Sequence, residues 1–220
     1  YYASRGLGDV YKRQVLVDRE MPECQTNFVR CDDYQGGYIA GKHLLELGHR
    51  HFLYLPGPKY NLSQTRRYAG IMDALSEANV PASNIREIDY HTVFGSSAES
   101  TSSYKPYEEL FFPVNYTAVI GFNDLQSYSA MEILQKKGYR IPEDISLISF
   151  DHLRKTHTYL PPLTSIADNS EKSIADTAVS ILLDKIRNPS SEISSEVLPV
   201  SIFDDHTTGP INETFAHSFE

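Results

Sequence analysis

The sequence predicts an α/β protein built around parallel sheet, on three observations. Short β-branched, aromatic or aliphatic runs alternate with stretches of helical period along the chain. Several of those runs are apolar throughout, as strands covered on both faces are. The chain, at 220 residues, is long enough for one large domain or two lobes with a substantial core.

Taken in order, the expected strands are Val15–Asp18, Asn27–Cys31, Phe52–Leu55, Ile85–Asp89, Thr117–Phe122, Ile145–Phe150 and Val197–Phe203. Between the second and third, Asp33 to Leu47 places Tyr34, Tyr38 and Leu45 at helical spacings and ends at Gly48, a residue suited to a left-handed cap. Tyr68, Ile71, Met72 and Leu75 follow the i, i+3, i+4, i+7 rule, and Pro81 lies beyond that helix. Asp124 is expected to cap a helix that runs to Lys137 and stops at Gly138. Asp168 and Glu171 have the spacing of a capping box ahead of the apolar stripe Ile174, Ala178, Ile181, Leu182. A helix around Ser103–Phe112 tolerates Pro106 only in its first turn, and Ser96–Ser103 is a Ser-rich loop.

Composition excludes several classes. With 40% hydrophobic and 22% charged residues the chain is of ordinary globular make-up, and no apolar run approaches the roughly 20 residues that span a bilayer. A formal charge of −9 gives no overall electrostatic case for gripping phosphate backbones. Two cysteines, Cys24 and Cys31, build no disulfide framework, so a reducing cytoplasm is the default. The sequons at Asn61, Asn115 and Asn212 are of a pattern frequent by chance. The opening, Tyr1 to Gln14, has no secretory h-region and resembles translated sequencing-adapter read-through; it is set aside from the fold, and its Gly6-Leu7-Gly8 is only half a dinucleotide fingerprint.

The chain carries no G-x-S-x-G elbow, phosphate-binding loop or H-E-x-x-H helix. His43, His49 and His51 cluster in sequence, but a helix end followed by a strand sends them in different directions, and Cys31 reads as a half-buried structural thiol. Parallel sheets bind ligands beyond the carboxyl ends of their strands. The residues to weigh are therefore Asn123-Asp124, Asp151-His152, Tyr90 and Pro56-Gly57-Pro58, with Arg67 at the start of a helix. Amide, carboxylate, guanidinium and aromatic ring at one rim suit a small polyhydroxylated ligand. The plainer reading of the same residues is a cap, a solvated helix charge and a packing ring.

Four strings are more specific. DDYQGGYIAGKHLLELGHRHFLYLPGP from Asp32, RRYAGIMDAL from Arg66, AVIGFNDLQSYSAMEILQKKGYRIPEDISLISFDH from Ala118 and PPLTSI from Pro161 resemble the LacI/GalR family of bacterial transcription regulators, in that family's order and spacing. The resemblance covers Val15 to about Thr208. It implies a periplasmic-binding-protein-like type I fold of two Rossmann-like lobes with an effector between them. By position, residues 15–49 and 165–188 resemble a partial N-terminal lobe, 50–160 and 192–206 the C-terminal lobe, and 207–220 a tail, with crossings near 49–51, 161–164 and 189–191.

The resemblance also implies site residues: Arg67 holding effector hydroxyls or carboxylates, Asn123 and Asp151 as a polar pair on facing strand ends, Tyr90 stacking on the ligand, and Ser63 as a weaker match. It implies a homodimer, a sugar or sugar derivative as effector, no cofactor, no catalysis, and operator DNA reached only through an N-terminal helix-turn-helix domain. That domain, the hinge helix and the first strands of the N-terminal lobe have no counterpart in this sequence, which is the expectation for a truncated reading frame. One departure is His152 where family members often carry a second acid, which puts effector class and pH dependence in question. A sugar-binding component of a transporter, sharing the fold, is the alternative.

Overall fold

The alternation of apolar runs and helical periods becomes nine strands and four helices of three turns or more in the computed structural model, which describes residues 14–21, 23, 26–88 and 107–216. The strands are β1 (Val15–Val17), β2 (Asn27–Cys31), β3 (Phe52–Leu55), β4 (Ile85–Glu87), β5 (Ala118–Gly121), β6 (Ser146–Phe150), β7 (Thr164–Asp168), β8 (Ser195–Leu198) and β9 (Val200–Phe203). The helices are α1 (Asp33–Glu46), α2 (Leu62–Glu77), α3 (Asp124–Lys136) and α4 (Ile174–Arg187). Two compact units divide after Asp32, Ala167 and Ser201.

In the smaller unit, β1, β2 and β8 form a parallel sheet in the order β1-β2-β8. Val29, Leu198, Ala178 and Ile181 make its core, with Val15 and Ile174 packed against them. Three residues of the α4 stripe read from the sequence, Ile174, Ala178 and Ile181, thus lie on the sheet. Lys185, buried near the end of α4, donates to Ser191 O at 3.1 Å, Ser191 Oγ at 2.9 Å and Glu192 O, which ties the following loop to the helix.

The larger unit carries a six-stranded sheet ordered β4-β3-β5-β6-β7-β9, with parallel pairing from β4 through β7. β3, β5 and β6 are buried at every position; β3 and β5 read as unbroken apolar runs, while β6 carries two buried serines, Ser146 and Ser149, among its apolar residues. Leu53, Val119, Leu147, Leu134, Phe111 and Tyr116 lie in the main core cluster. Two helices stop where glycine permits left-handed backbone. At Gly48 (φ 94°) the amides of Gly48 and His49 reach back to Leu45 O and Leu44 O, and at Gly138 (φ 91°) those of Gly138 and Tyr139 reach Gln135 O and Leu134 O.

Helix α1 belongs with the larger unit, not with the lobe expected for residues 15–49. A Cβ on Gly37 would lie 2.0 Å from Arg67 O, and one on Gly70 2.1 Å from Tyr34 O, so only glycine lets α1 and α2 approach this closely. The chain accordingly changes unit at Asp32/Asp33, Ala167/Asp168 and Ser201/Ile202 instead of at 49–51, 161–164 and 189–191.

Four further expectations need correction. Asn123, not Asp124, caps α3: its Oδ1 accepts from Gln126 N at 3.0 Å. Asp168 and Glu171 form no capping box, because β7 runs through Asp168; α4 is capped by Ser173, whose Oγ accepts from Asp176 N at 3.1 Å. The run Val197–Phe203 is two strands in two sheets, β8 and β9, broken at Pro199, which has no N–H to offer a ladder. Of the stretch Ser103–Phe112, the described part forms a short 3₁₀ turn, Tyr107–Phe111. The Ser-rich loop, Asp89 and Tyr90 lie outside the described residues.

Candidate functional site

The glycine-mediated crossing of α1 and α2 sets the first residue of α1 against the second turn of α2. There Arg67, with 7% of its side chain exposed, donates from Nε to Asp33 Oδ1 at 2.9 Å, and Asp33 is 1% exposed. Nη1 donates to Phe122 O, just past the end of β5, at 2.6 Å. The guanidinium lies 5.0 Å from the Phe122 ring centroid and 4.5 Å from that of Phe150, the last residue of β6. A planar, weakly hydrated cation held by a carboxylate, a carbonyl and two rings is a setting arginine tolerates and lysine does not. Nη2 is 3.6 Å from Asp151 Oδ1.

Asp151 is the first residue beyond β6 and has left-handed backbone (φ 97°), as does His152 after it (φ 50°). Such non-glycine pairs persist only where the surroundings fix them. Here Asp151 N donates to Ile166 O at 3.0 Å and His152 N to Ser165 Oγ at 2.9 Å, so β7 holds the turn. Asp124 braces it from the other side. This buried carboxylate accepts from Leu153 N at 2.7 Å and from Ser165 Oγ at 2.9 Å, joining the first turn of α3 to the Asp151 loop and to β7. Burial pushes the Asp124 carboxyl above its ordinary pKa, against the pull of those donors. The Asp151 carboxyl is also raised. Burial of its inner side is the largest cause, Arg67 opposes it, and the Asp124 and Asp33 charges add to it, while 39% of the side chain remains exposed at the rim.

Of the expected site residues, Arg67 and Asp151 are therefore neighbours. Asn123 follows directly on the carbonyl that Arg67 grips; its Oδ1 is committed to the α3 cap, so its amide nitrogen is the group it can offer a ligand. Ser63 is buried one turn before Arg67 on α2, at the i, i+4 spacing that shares a face, and its N–H donates to Asn61 Oδ1 at 2.9 Å. Tyr90 lies outside the described residues. The Pro56-Gly57-Pro58 loop acts indirectly: Gly57 N and Tyr54 Oη both donate to Gln64 Oε1, and a Cβ on Gly57 would meet the Phe122 ring at 2.6 Å. The loop thus backs the ring that supports Arg67.

Sequence reasoning missed Asp33, Phe122 and Phe150. Phe122 and Phe150 stood in the sequence as strand ends next to the chosen polar residues; nothing in the pattern tied Asp33 to Arg67. The three clustered histidines go to different partners: His43 to Thr208, His51 to Asn84, and His49 to Thr117, Ser146 and Gly209. Among the described residues no group of three His, Cys, Asp or Glu is placed to hold a metal ion, and no helix is long and apolar enough to cross a membrane.

A family model described as the periplasmic binding protein-like domain matches residues 42–208. The chain belongs to that family. The relatives it resembles are transcriptional regulators. It is 33% identical over 196 residues to the HTH-type transcriptional repressor PurR of Escherichia coli O139:H28, covering 86% of this chain and 55% of the relative. To the repressor of the same name from Mannheimia succiniciproducens it is 32% identical over 173 residues, covering 78% and 50%. The chain thus spans about half the length of the curated relatives it matches. Among solved structures, a LacI family transcriptional regulator from Enterococcus faecium with bound ribose superposes with a TM-score of 0.73 at 27% identity, over 90% of this chain and 71% of that one.

Proposed function

We propose that this chain is the effector-sensing and dimerisation core of a LacI/GalR-type transcriptional regulator, that it takes a small sugar or sugar derivative at the strand-end rim of the larger unit, and that it performs no catalysis. The observation that carries the reading is the Arg67–Asp151 pair, 3.6 Å apart at the ends of facing elements, with Asn123 beside it. Vicinal hydroxyls donate to Asp151 and accept from Arg67 and the Asn123 amide, and both side chains are held by groups that do not depend on the ligand. The ribose carried by the Enterococcus faecium regulator supports the same ligand class.

DNA recognition then belongs to a helix-turn-helix domain outside this sequence, and the setting is the cytoplasm. A ligand that prefers one conformation of the dimeric regulator shifts its operator affinity by its differential binding energy, typically about 1–3 kcal/mol. Two DNA-reading heads tolerate little change in spacing, because half-sites repeat about one helical turn apart. The test is isothermal calorimetry of this chain with a panel of neutral pentoses, hexoses and disaccharides that includes ribose. Asp151→Asn, a change at an exposed side chain, should weaken the sugar that binds by about tenfold or more, the scale of a lost hydrogen bond to a charge. Unaltered affinity in that variant refutes the site.

A further inference from the structure

Among the described residues, the rim brings one cation, Arg67, together with three carboxylates, Asp33, Asp124 and Asp151, and the cation is already engaged. Arg67 is paired with Asp33 in a contact almost wholly removed from solvent, its Nη1 is tied to a carbonyl, and two rings cover its faces. Asp33 Oδ2 is buried and accepts no hydrogen bond among the described residues, so among them Arg67 is the cation paired with that carboxylate. Arg154, three residues beyond Asp151, is paired with Asp205 at 2.9 Å. The charges acting most strongly on Asp151 are Arg67 against Asp124 and Asp33, which leaves a surplus of negative charge at the rim.

We infer that Asp33 is a specificity-determining residue: by neutralising Arg67 in a buried ion pair, it makes this rim accept an uncharged polyol and turn away the phosphorylated or carboxylated form of the same sugar. The inference rests on the effector-site reading above and adds to it the charge class of the ligand. An arginine in a sugar site is ordinarily a natural partner for a phosphate or carboxylate. Here an incoming anion would meet Asp151 at the rim and find the guanidinium's charge already balanced from behind. A neutral ligand loses nothing by that arrangement, since Nη2 still donates hydrogen bonds and Asp151 still accepts them. Asp33 acts only through Arg67, which makes it a positioning residue whose effect appears in ligand charge preference.

The experiment is calorimetry of the full chain with D-ribose, D-ribose 5-phosphate and D-ribonate, and with D-glucose, D-glucose 6-phosphate and D-glucuronate. In the unsubstituted protein each acidic probe should bind at least about thirtyfold more weakly than its neutral parent. Asp33→Asn, which releases the Arg67 charge, should bring that ratio below about threefold whatever the absolute affinities, and Asp33→Glu, which keeps the charge, should restore it. A ratio near one in the unsubstituted protein overturns the inference while leaving the effector site standing, and so does a ratio that Asp33→Asn does not move. Binding by none of the six probes overturns the inference, and the effector-site reading falls with it when the wider panel of neutral sugars also fails to bind. Should Asp33→Asn fail to fold, the ratio in the unsubstituted protein decides alone.

Discussion

His49 should make the larger unit acid-sensitive in a window set by one side chain. It is buried, and its ring bridges the residue before β5, the first residue of β6 and the C-terminal segment: Nδ1 is 2.8 Å from Thr117 Oγ1, while Nε2 is 2.9 Å from Ser146 Oγ and 3.0 Å from Gly209 O. Because Gly209 O can only accept, the proton sits on Nε2, and Nδ1 accepts from the Thr117 hydroxyl. Protonating Nδ1 would set two donors against each other unless Thr117 turned to its poorer acceptor, His51 O at 3.5 Å. Burial therefore lowers the pKa from 6.5 to about 4, with the neighbouring His43 and Arg50 charges adding to the shift and the Gly209 bond opposing it. Since the folded value lies below the unfolded one, the unfolded chain binds the proton first. The contribution is complete above pH 6.5, and is lost as the pH falls toward 4. A shift of that size corresponds to about 3 kcal/mol. Urea unfolding followed by circular dichroism between pH 7 and pH 4 should show the unsubstituted chain losing about 3 kcal/mol more than His49→Gln, with carboxylate titrations cancelling in the difference. Parallel stability curves for the two proteins across that window would refute the assignment.

Gly37→Ala should lower thermal stability severely, by about 3 kcal/mol or more, because its Cβ would lie 2.0 Å from backbone at Arg67 O and backbone cannot step aside. Gly138→Ala, where φ is 91° but no atom lies within 4 Å, should cost only about 1–2 kcal/mol from left-handed strain; equal melting-temperature losses for the two would contradict the helix-crossing account. Asp124→Ala removes the acceptor of the part-buried Leu153 N and the buried Ser165 Oγ, and should cost about 2–4 kcal/mol while also loosening the Asp151 turn, read as faster amide exchange at Asp151 and His152.

How much of this was legible in the sequence depends on whether the signal was local. Helix ends at Gly48 and Gly138 could be read because a left-handed cap demands a residue type at one position, and β3 and β5 because double burial writes an unbroken apolar run. β7 could not. Thr164–Asp168 carries two buried hydroxyls, Thr164 and Ser165, that serve Asp204, Asp124 and the His152 amide, so a central strand looks polar because its side chains brace the loops around it. That polarity also invited Asp168 and Glu171 to pass as a helix start. The rim was half legible for the same reason. Arg67, Asn123 and Asp151 announce themselves as polar residues at element ends, whereas Asp33 joins them only because Gly37 and Gly70, 33 residues apart in sequence, let two helices touch. No local pattern marks a glycine as the spacer of a helix crossing, and so none could identify the carboxylate that the crossing delivers to Arg67. The polar residues of this rim can therefore be read from the strand ends, but the charge balance among them is decided by the helix packing behind it.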